Sequence, residues 1–357
     1  MKPLVIDTPK GERRIGPGEP VFVVAEMSGN HNQNIQTAYK IIDAAATTGV
    51  DAIKLQTYTA DTITIDCDND YFKIKTGPWA GQTLYELYQK AYTPWEWHQK
   101  LKEYAESKGL IFFSTPFDPT AVDFLEELGV SLYKVASFEV VDIPLLRRIG
   151  QTRKPVIMSC GMASEEEIGL AVSTLREHGS PSIALLYCIS AYPAKAEDMN
   201  LATIPEMSKK FDVLAGLSDH SLTLEVSLTA VGLGAVILEK HLTLARSDGG
   251  PDAEFSLEPS EFRELVAAVR VGKIGHGQIG KVKFGPGIAD QGNLIYRKSL
   301  FVARRVGKGE VFSPDNVRSI RPGHGLPPKY YDEVMGCRAS RDVAVGTPLS
   351  WELIVKS

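Results

Sequence analysis

Cysteine is scarce in this chain. Only Cys67, Cys160, Cys188 and Cys337 occur, and no two have CxxC spacing. That argues against a zinc ribbon or a disulfide framework and suits a reducing compartment, so the cytoplasm is the expected location. An excess of positive charge is also missing: 39 Lys and Arg stand against 44 Asp and Glu, a net charge of -5. Broad nucleic-acid binding needs a concentrated basic surface, so nucleic acid is not an expected partner. A small anionic ligand stays open, because it needs only a few placed cations. Long apolar runs are lacking too. The longest, residues 226–238, is broken by Ser227, Thr229, Gly232 and Gly234, so no membrane span is expected. The first residues, MKPLVIDTPKGERR, hold no apolar core of a signal peptide, so no leader is expected. Internal repeats and low-complexity tracts are absent.

What remains is globular: 357 residues, 43% hydrophobic and 23% charged. That length suggests one large domain and one small one. Short β-rich runs alternate with helical patterns over the first 270 residues or so. Eight strands are expected, at residues 21–26, 52–56, 110–114, 132–136, 155–159, 183–188, 213–217 and 235–241. Each is a nearly continuous apolar run, as in parallel strands buried on both faces. Helical periodicity fills gaps at residues 35–48 and 94–108. Asp118 can cap a helix ending near Gly129, and Ser164 with Glu167 forms a capping box for another ending at Gly179. Eight strand–helix units predict an α/β fold of TIM-barrel type, (β/α)8. An open doubly wound sheet is the alternative, but no GxGxxG follows the first strand.

Residues 271–295 change character. Seven glycines (272, 275, 277, 280, 285, 287 and 292) and few apolar residues in helical register read as a loose connector. Residues 296–357 then read as a small β-rich domain. The expected division is 1–270 as catalytic barrel, 271–295 as glycine-rich linker and 296–357 as the small domain.

In such a barrel the active site lies at the carboxyl ends of the strands. All eight ends here carry polar residues: Glu26 with Ser28, Asn30 and His31; Lys54 and Gln56; Ser114 and Thr115; Lys134 and Ser137; Ser159; Ser190 and Tyr192; Ser218 and His220; Glu239 and His241. One such residue would mean little, since a lone serine commonly satisfies backbone. A full rim is harder to explain as structure. An unpaired buried ammonium is costly, and a bound anion would relieve Lys54 and Lys134. With a ring of hydroxyls they suit a phosphate, a carboxylate or both. His220 and His241 end adjacent strands and suit a divalent ion with open positions. Glu26 and Glu239 can act as base, orient substrate or pair with the lysines. The long loop of residues 57–93 holds many aromatics, which either stack on a sugar or form a satellite core.

The segments VVAEMSGNH, AIKLQTY, FFSTPFD, YKVASFE, MSCGMAS, GLSDHS and LEKHLTL occur in order at the strand ends. Together they resemble the N-acetylneuraminate (sialic acid) synthase family. SLFVARRVGKGEVFSPDNV, SIRPGHGL and GCRASRDVAVGTPL resemble its antifreeze-like (SAF) domain. DYFKIKTGPWAGQTLYELYQKAYTPWEWH and RPGHGLPPKYY are similar to the branch whose sugar is 2,4-diacetamido-2,4,6-trideoxy-L-altrose. Sialic and legionaminic acid synthases share the barrel motifs but differ in the second loop and after RPG.

The resemblance implies condensation of phosphoenolpyruvate with an acetamido-sugar aldehyde and water, giving a nine-carbon 2-keto acid and phosphate. It implies a divalent metal ion, Mn2+ or Mg2+ with Co2+ as a further candidate, held by His220 and His241. Lys54, Thr115, Lys134, Ser137, Ser159 and Ser218 match positions that bind phosphoenolpyruvate. Ser190 stands where relatives often carry Asn, and MSCG replaces MSTG while keeping Ser159. Gln56, Tyr192, Glu239 and Asp252 match sugar-side positions, as does Glu26, which is the expected proton-handling or substrate-orienting carboxylate. Arg321 matches an arginine that the C-terminal domain delivers to the partner subunit's site, which implies a domain-swapped homodimer. Two other classes stay open: a metal-dependent hydrolase on the same barrel, and a carbohydrate- or ice-binding protein.

Overall fold

A computed structural model describes residues 2–8, 11–75 and 79–355. Eight parallel strands close into a barrel: β3 (Phe22–Glu26), β4 (Ala52–Thr57), β5 (Ile111–Pro116), β6 (Tyr133–Val135), β7 (Val156–Ser159), β8 (Ile183–Tyr187), β9 (Leu214–Asp219) and β10 (Ile237–His241). They pair in chain order, and β10 closes the ring on β3. These are the eight expected runs, shifted by a residue or two. Their apolar continuity has a simple cause. Outward residues such as Val23, Ala25, Ile53 and Leu55 pack in one core against the helices. Inward residues such as Phe22, Val24, Ala52 and Phe113 pack in a second core within the barrel. Both faces are buried, so the period of two leaves no polar stripe.

Local signals set the helix starts. Asp118 accepts from the Thr120 and Ala121 amides, with Pro119 in the first turn. Ser164 and Glu167 form the expected capping box for Glu165–Glu177. Two strands that the sequence pattern did not suggest precede the barrel: β1 (Leu4–Thr8) pairs antiparallel with β2 (Gly11–Ile15). Leu4, Ile6 and Ile15 join the barrel's inner core from its amino-terminal end. No helix of the described residues is long and apolar enough to cross a membrane.

No helix or strand lies between Arg270 and Gln291, yet this connector is not loose. The Gly277 amide donates to Thr229 Oγ1 at 2.9 Å, the Ala202 amide to the Ile279 carbonyl at 3.0 Å and the Gly285 amide to the Ala163 carbonyl at 2.9 Å. At Gly280 a Cβ would meet the Met199 carbonyl oxygen at 2.4 Å, and φ is +70°, so only glycine fits. The glycines let the backbone lie flat on the barrel. Beyond it, β11 (Ser299–Val302) pairs with β12 (Val317–Ile320), and Leu300, Val302, Phe312 and Leu353 share a separate small core.

Candidate active site

The inward alternation that packs the lower barrel with Phe and Leu delivers polar side chains at its carboxyl end. Glu26, Lys54, Lys134, Ser159, Ser218, Glu239 and His241 are all buried there. Register places them side by side: Glu26 pairs across from Lys54 and His241, Gln56 from Thr115, and Glu239 from Ser218.

The lysines already have partners. Lys54 Nζ is 2.6 Å from Glu26 Oε2, 3.8 Å from Glu239 Oε2 and 3.1 Å from Thr115 Oγ1. Lys134 Nζ is 3.6 Å from Glu239 Oε1 and donates to Ser159 Oγ at 2.7 Å and to the Val135 carbonyl at 3.1 Å. Of the roles open to Glu26 and Glu239, pairing with the lysines is therefore realised. The need for a bound anion to relieve unpaired ammoniums falls away. The cluster instead offers oriented donors that can exchange carboxylate for ligand oxygen.

Ionisation follows from this pairing. Burial pulls Lys54 down, but Glu239 and Glu26 outweigh it and its pKa is raised. Lys134 is lowered, because burial outweighs the attraction of Glu239. Burial raises the Glu26 carboxyl against the opposing pull of Lys54. Glu239 is lowered, since its lysines and Ser218 overcome its burial. Two carboxyls a few ångströms apart are thus pushed in opposite directions, the pattern that separates acid from base roles.

Ser137 and Ser190, from the loops after β6 and β8, share a hydrogen bond of 2.9 Å. The Ser190 amide donates to Asp290 Oδ1 at 2.6 Å, so the connector buttresses this corner. The rings of His220 and His241 lie 5.5 Å apart, centre to centre. His220 Nδ1 bonds the Ile189 carbonyl at 2.8 Å, which leaves its Nε2 for a ligand. His241 Nδ1 is buried with no hydrogen-bond partner among the described residues, 3.7 Å from Asp252 Oδ2. Burial lowers the pKa of both rings and favours the neutral form that binds metal. No group of three or more His, Cys, Asp or Glu stands ready as a metal site among the described residues. The two imidazoles fit a catalytic ion whose other positions are filled by water or substrate.

Above the rim opens a cleft lined by Ser28, Gln56, Tyr192, His241, Asp252 and Arg321, with an aromatic wall that includes Tyr58, Trp79 and Tyr88. Gln56 Nε2 donates to Glu26 Oε1 and Ser28 Oγ. The Tyr192 ring lies 4.6 Å from that of His220, tilted by 51°. The satellite-core reading of the 57–93 loop holds. Tyr58, Ile63, Ile74, Leu84, Tyr88 and Phe117 form a satellite core, and some of the same rings face the cleft. Part of that loop, residues 76–78, lies outside the described residues.

Three rim residues face elsewhere. His31 is fully buried, bonds Thr93 Oγ1 through Nε2 and packs on Trp97. Ser114 points outward to Thr57 Oγ1 at 2.6 Å. Asn30 bonds the Leu242 carbonyl and Ser256 Oγ. Arg321 stands at the cleft of its own chain. The turn after β12 is tied to the 57–93 loop through the Arg321 amide to the Ile63 carbonyl and Thr64 Oγ1 to the Arg321 carbonyl. Its guanidinium is held by Glu139, a residue that sequence reasoning missed. Glu139 sits in a short turn after β6 with no charge pattern around it.

The NeuB family pattern matches residues 41–281, and the SAF domain pattern matches residues 297–355. A pseudaminic acid synthase from Campylobacter jejuni is 42% identical over 329 residues, spanning 92% of this chain and 95% of that protein. Another, from Helicobacter pylori, is 39% identical over 339 residues, spanning 95% and 99%. The crystal structure of the spore coat polysaccharide biosynthesis protein spsE from Bacillus subtilis superimposes with a TM-score of 0.84 at 32% identity, covering 97% of this chain and 98% of that one. Barrel and C-terminal module thus have counterparts along almost the whole length, and the chain belongs to the NeuB family.

Proposed function

We propose that this protein is a pseudaminic acid synthase, joining phosphoenolpyruvate to 2,4-diacetamido-2,4,6-trideoxy-L-altrose with uptake of water and release of phosphate. The observation that carries this reading is the rim itself. Lys54, Lys134, Thr115, Ser159 and Ser218 converge beside two histidines. A cleft with an aromatic wall opens above them. A small dianion fits the first and an uncharged sugar fits the second. The identity to pseudaminic acid synthases supports the choice of sugar.

In this reading the lysines and the hydroxyls of Thr115, Ser137, Ser159, Ser190 and Ser218 hold phosphoenolpyruvate. Gln56, Tyr192, Glu239, Asp252 and Arg321 orient the open-chain sugar above it. C3 of phosphoenolpyruvate attacks the aldehyde carbon, whose oxygen takes up a proton. Water adds at C2, and the C–O bond to phosphate then breaks to leave the 2-keto acid. Holding both partners at close range supplies much of the acceleration. Fixed donors around the developing charge supply more. Glu26, whose carboxyl burial raises against the pull of Lys54, is the group that moves or holds a proton beside the aldehyde. A divalent ion, Mn2+, Mg2+ or Co2+, held by His220 and His241 supplies Lewis acidity at the aldehyde oxygen when bound.

The working division is residues 1–270 as catalytic barrel, 271–295 as connector and 296–357 as cap. A homodimer belongs to the same proposal. Val271 and Ile288, 81% and 92% exposed on the connector, support a surface that another copy covers. A cytoplasmic location is supported by four free cysteines, three of them buried.

Mass spectrometry of the product from phosphoenolpyruvate and the 6-deoxy diacetamido sugar tests the reading. The expected result is pseudaminic acid, with one phosphate released per turnover. Faster phosphate release with the acceptors of sialic or legionaminic acid synthases would overturn the choice of sugar. No release with any of them would overturn the synthase itself.

A further inference from the structure

Lys54, Gln56 and Tyr58 occupy alternate positions, and alternate residues of an extended strand point the same way. Lys54 meets Glu26 low in the site, and Gln56 reaches Glu26 and Ser28 at the rim. Tyr58, just past the end of β4, lines the cleft above. Each step climbs about 7 Å along the chain. The first two side chains are committed to partners inside the protein. Tyr58 is only 4% exposed, yet its hydroxyl makes no hydrogen bond among the described residues. Nor is that oxygen sealed in the interior: it opens on the cleft.

The ring is held in place. It packs edge-on against Tyr88 at 5.7 Å and Phe117 at 5.1 Å, and Trp95 Nε1 donates to the Tyr58 carbonyl at 3.1 Å. Tyr88 is the contrast, since its hydroxyl already accepts from Arg321 Nη1. A phenylalanine at position 58 would complete the same wall with no polar atom to satisfy. Water can serve the Tyr58 hydroxyl in an open cleft. A ligand that displaces this water must replace its hydrogen bond or lose affinity.

The surroundings limit what that ligand group can be. Burial raises the phenol well above its ordinary pKa, so it stays protonated and can donate. Beside it Ile63, Leu87 and Ala91 make the cleft wall apolar. An acetamido group answers both features, with a carbonyl oxygen for the hydroxyl and a methyl for the wall. A phosphate or carboxylate would set its charge against that wall. On the proposed function the acceptor carries two acetamido groups. Its aldehyde meets Glu26, the partner of Gln56, at the rim. The acetamido group at C2 adjoins that carbon, whereas the one at C4 stands two carbons further out. Tyr58, one step above Gln56, is placed for the outer one.

We propose that Tyr58 is a sugar-binding, specificity-determining residue whose hydroxyl donates to the carbonyl of the C4 acetamido group. The inference rests on the proposed function and names the group by which the cleft selects its sugar.

The test compares wild type with Tyr58→Phe, which removes one oxygen and keeps the ring. The KM for the diacetamido sugar should rise about tenfold. The bond is the same before and during reaction, so kcat and the KM for phosphoenolpyruvate should hold. An analogue with hydrogen in place of the C4 acetamido group should bind both proteins equally, read as an inhibition constant if its turnover is slow. Without ligand, the melting temperature of Tyr58→Phe should match wild type, because no internal bond is lost. An unchanged sugar KM overturns the proposal, as does a loss that persists with the analogue. A raised KM for phosphoenolpyruvate would move the contact to the other substrate, and a lower melting temperature would make the hydroxyl structural; either overturns it. Failure of the proposed function shows in wild type, which would then not use the diacetamido sugar, whereas failure of this inference shows only in the variant.

Discussion

Lys240 Nζ lies 2.7 Å from Asp219 Oδ2, in an ion pair closed to solvent on the outward side of β9 and β10. The two residues are direct partners across the parallel pair, and each immediately precedes one of the rim histidines. Asp219 also accepts from Ser221 and Ser227, and Lys240 donates to the Ser221 carbonyl. Removing one partner strands the other charge. Lys240→Met should cost about 3–5 kcal/mol in urea denaturation. Asp219→Asn/Lys240→Met should recover part of that loss. Additive losses in the two single variants would rule out the coupling.

The histidine pair makes a second prediction. His220→Ala or His241→Ala should leave the circular dichroism spectrum unchanged and abolish the heat of Mn2+ binding. Turnover should fall by about a hundredfold or more. Near-normal rates in metal-stripped buffer would sink the metal role.

Stability should fall on mild acidification. Burial holds both His31 and His98 at about 4, against an ordinary 6.5, and the charge of His98 adds to the effect on His31. Their folded pKa values lie below the unfolded ones, so the unfolded chain binds more protons between pH 6.5 and 4. The stabilisation is complete above 6.5 and is lost as pH falls towards 4, by a few kcal/mol for the pair. Urea midpoints at pH 7.5, 6 and 4.5 measure it. His98→Gln should start lower and fall less steeply.

Gly216 makes a steric prediction. A Cβ there would meet the Ile237 carbonyl oxygen at 2.3 Å and Leu186 Cδ2 at 2.8 Å. The oxygen belongs to a strand fixed on both sides within a closed ring, so it has little room to move. Gly216→Ala should cost about 3 kcal/mol or more. Gly292→Ala, where nothing lies within 4 Å, should be neutral in the same thermal melt.

These sites differ in how far the sequence announces them. The barrel strands are legible because burial on both faces makes each one a single apolar run. The rim is legible because Lys54, Glu239 and His241 interrupt those runs at one end. β1 and β2 are not, since GERRI holds a single apolar residue, Ile15, and shows no run at all. Glu139 is invisible for another reason: its partner is 182 residues away, and only the docking of the C-terminal module brings them together. His31 misleads in the opposite sense. Its residue type and position suggest the rim, while Thr93 and Trp97, brought in by a distant loop, turn it away.

The N-terminal hairpin has one last consequence. Leu4, Ile6 and Ile15 extend the core that Phe22, Val24 and Phe113 already pack beneath the rim, so the barrel is a vessel with a single opening. Whatever occupies such a vessel is stacked by depth. On the proposed function, a molecule on the lysines lies under the sugar, so it must be loaded first and cannot leave until the sugar, or the product built on it, has cleared the mouth. The order of binding is then a matter of plumbing, set by a packed core at the end of the barrel where no chemistry takes place.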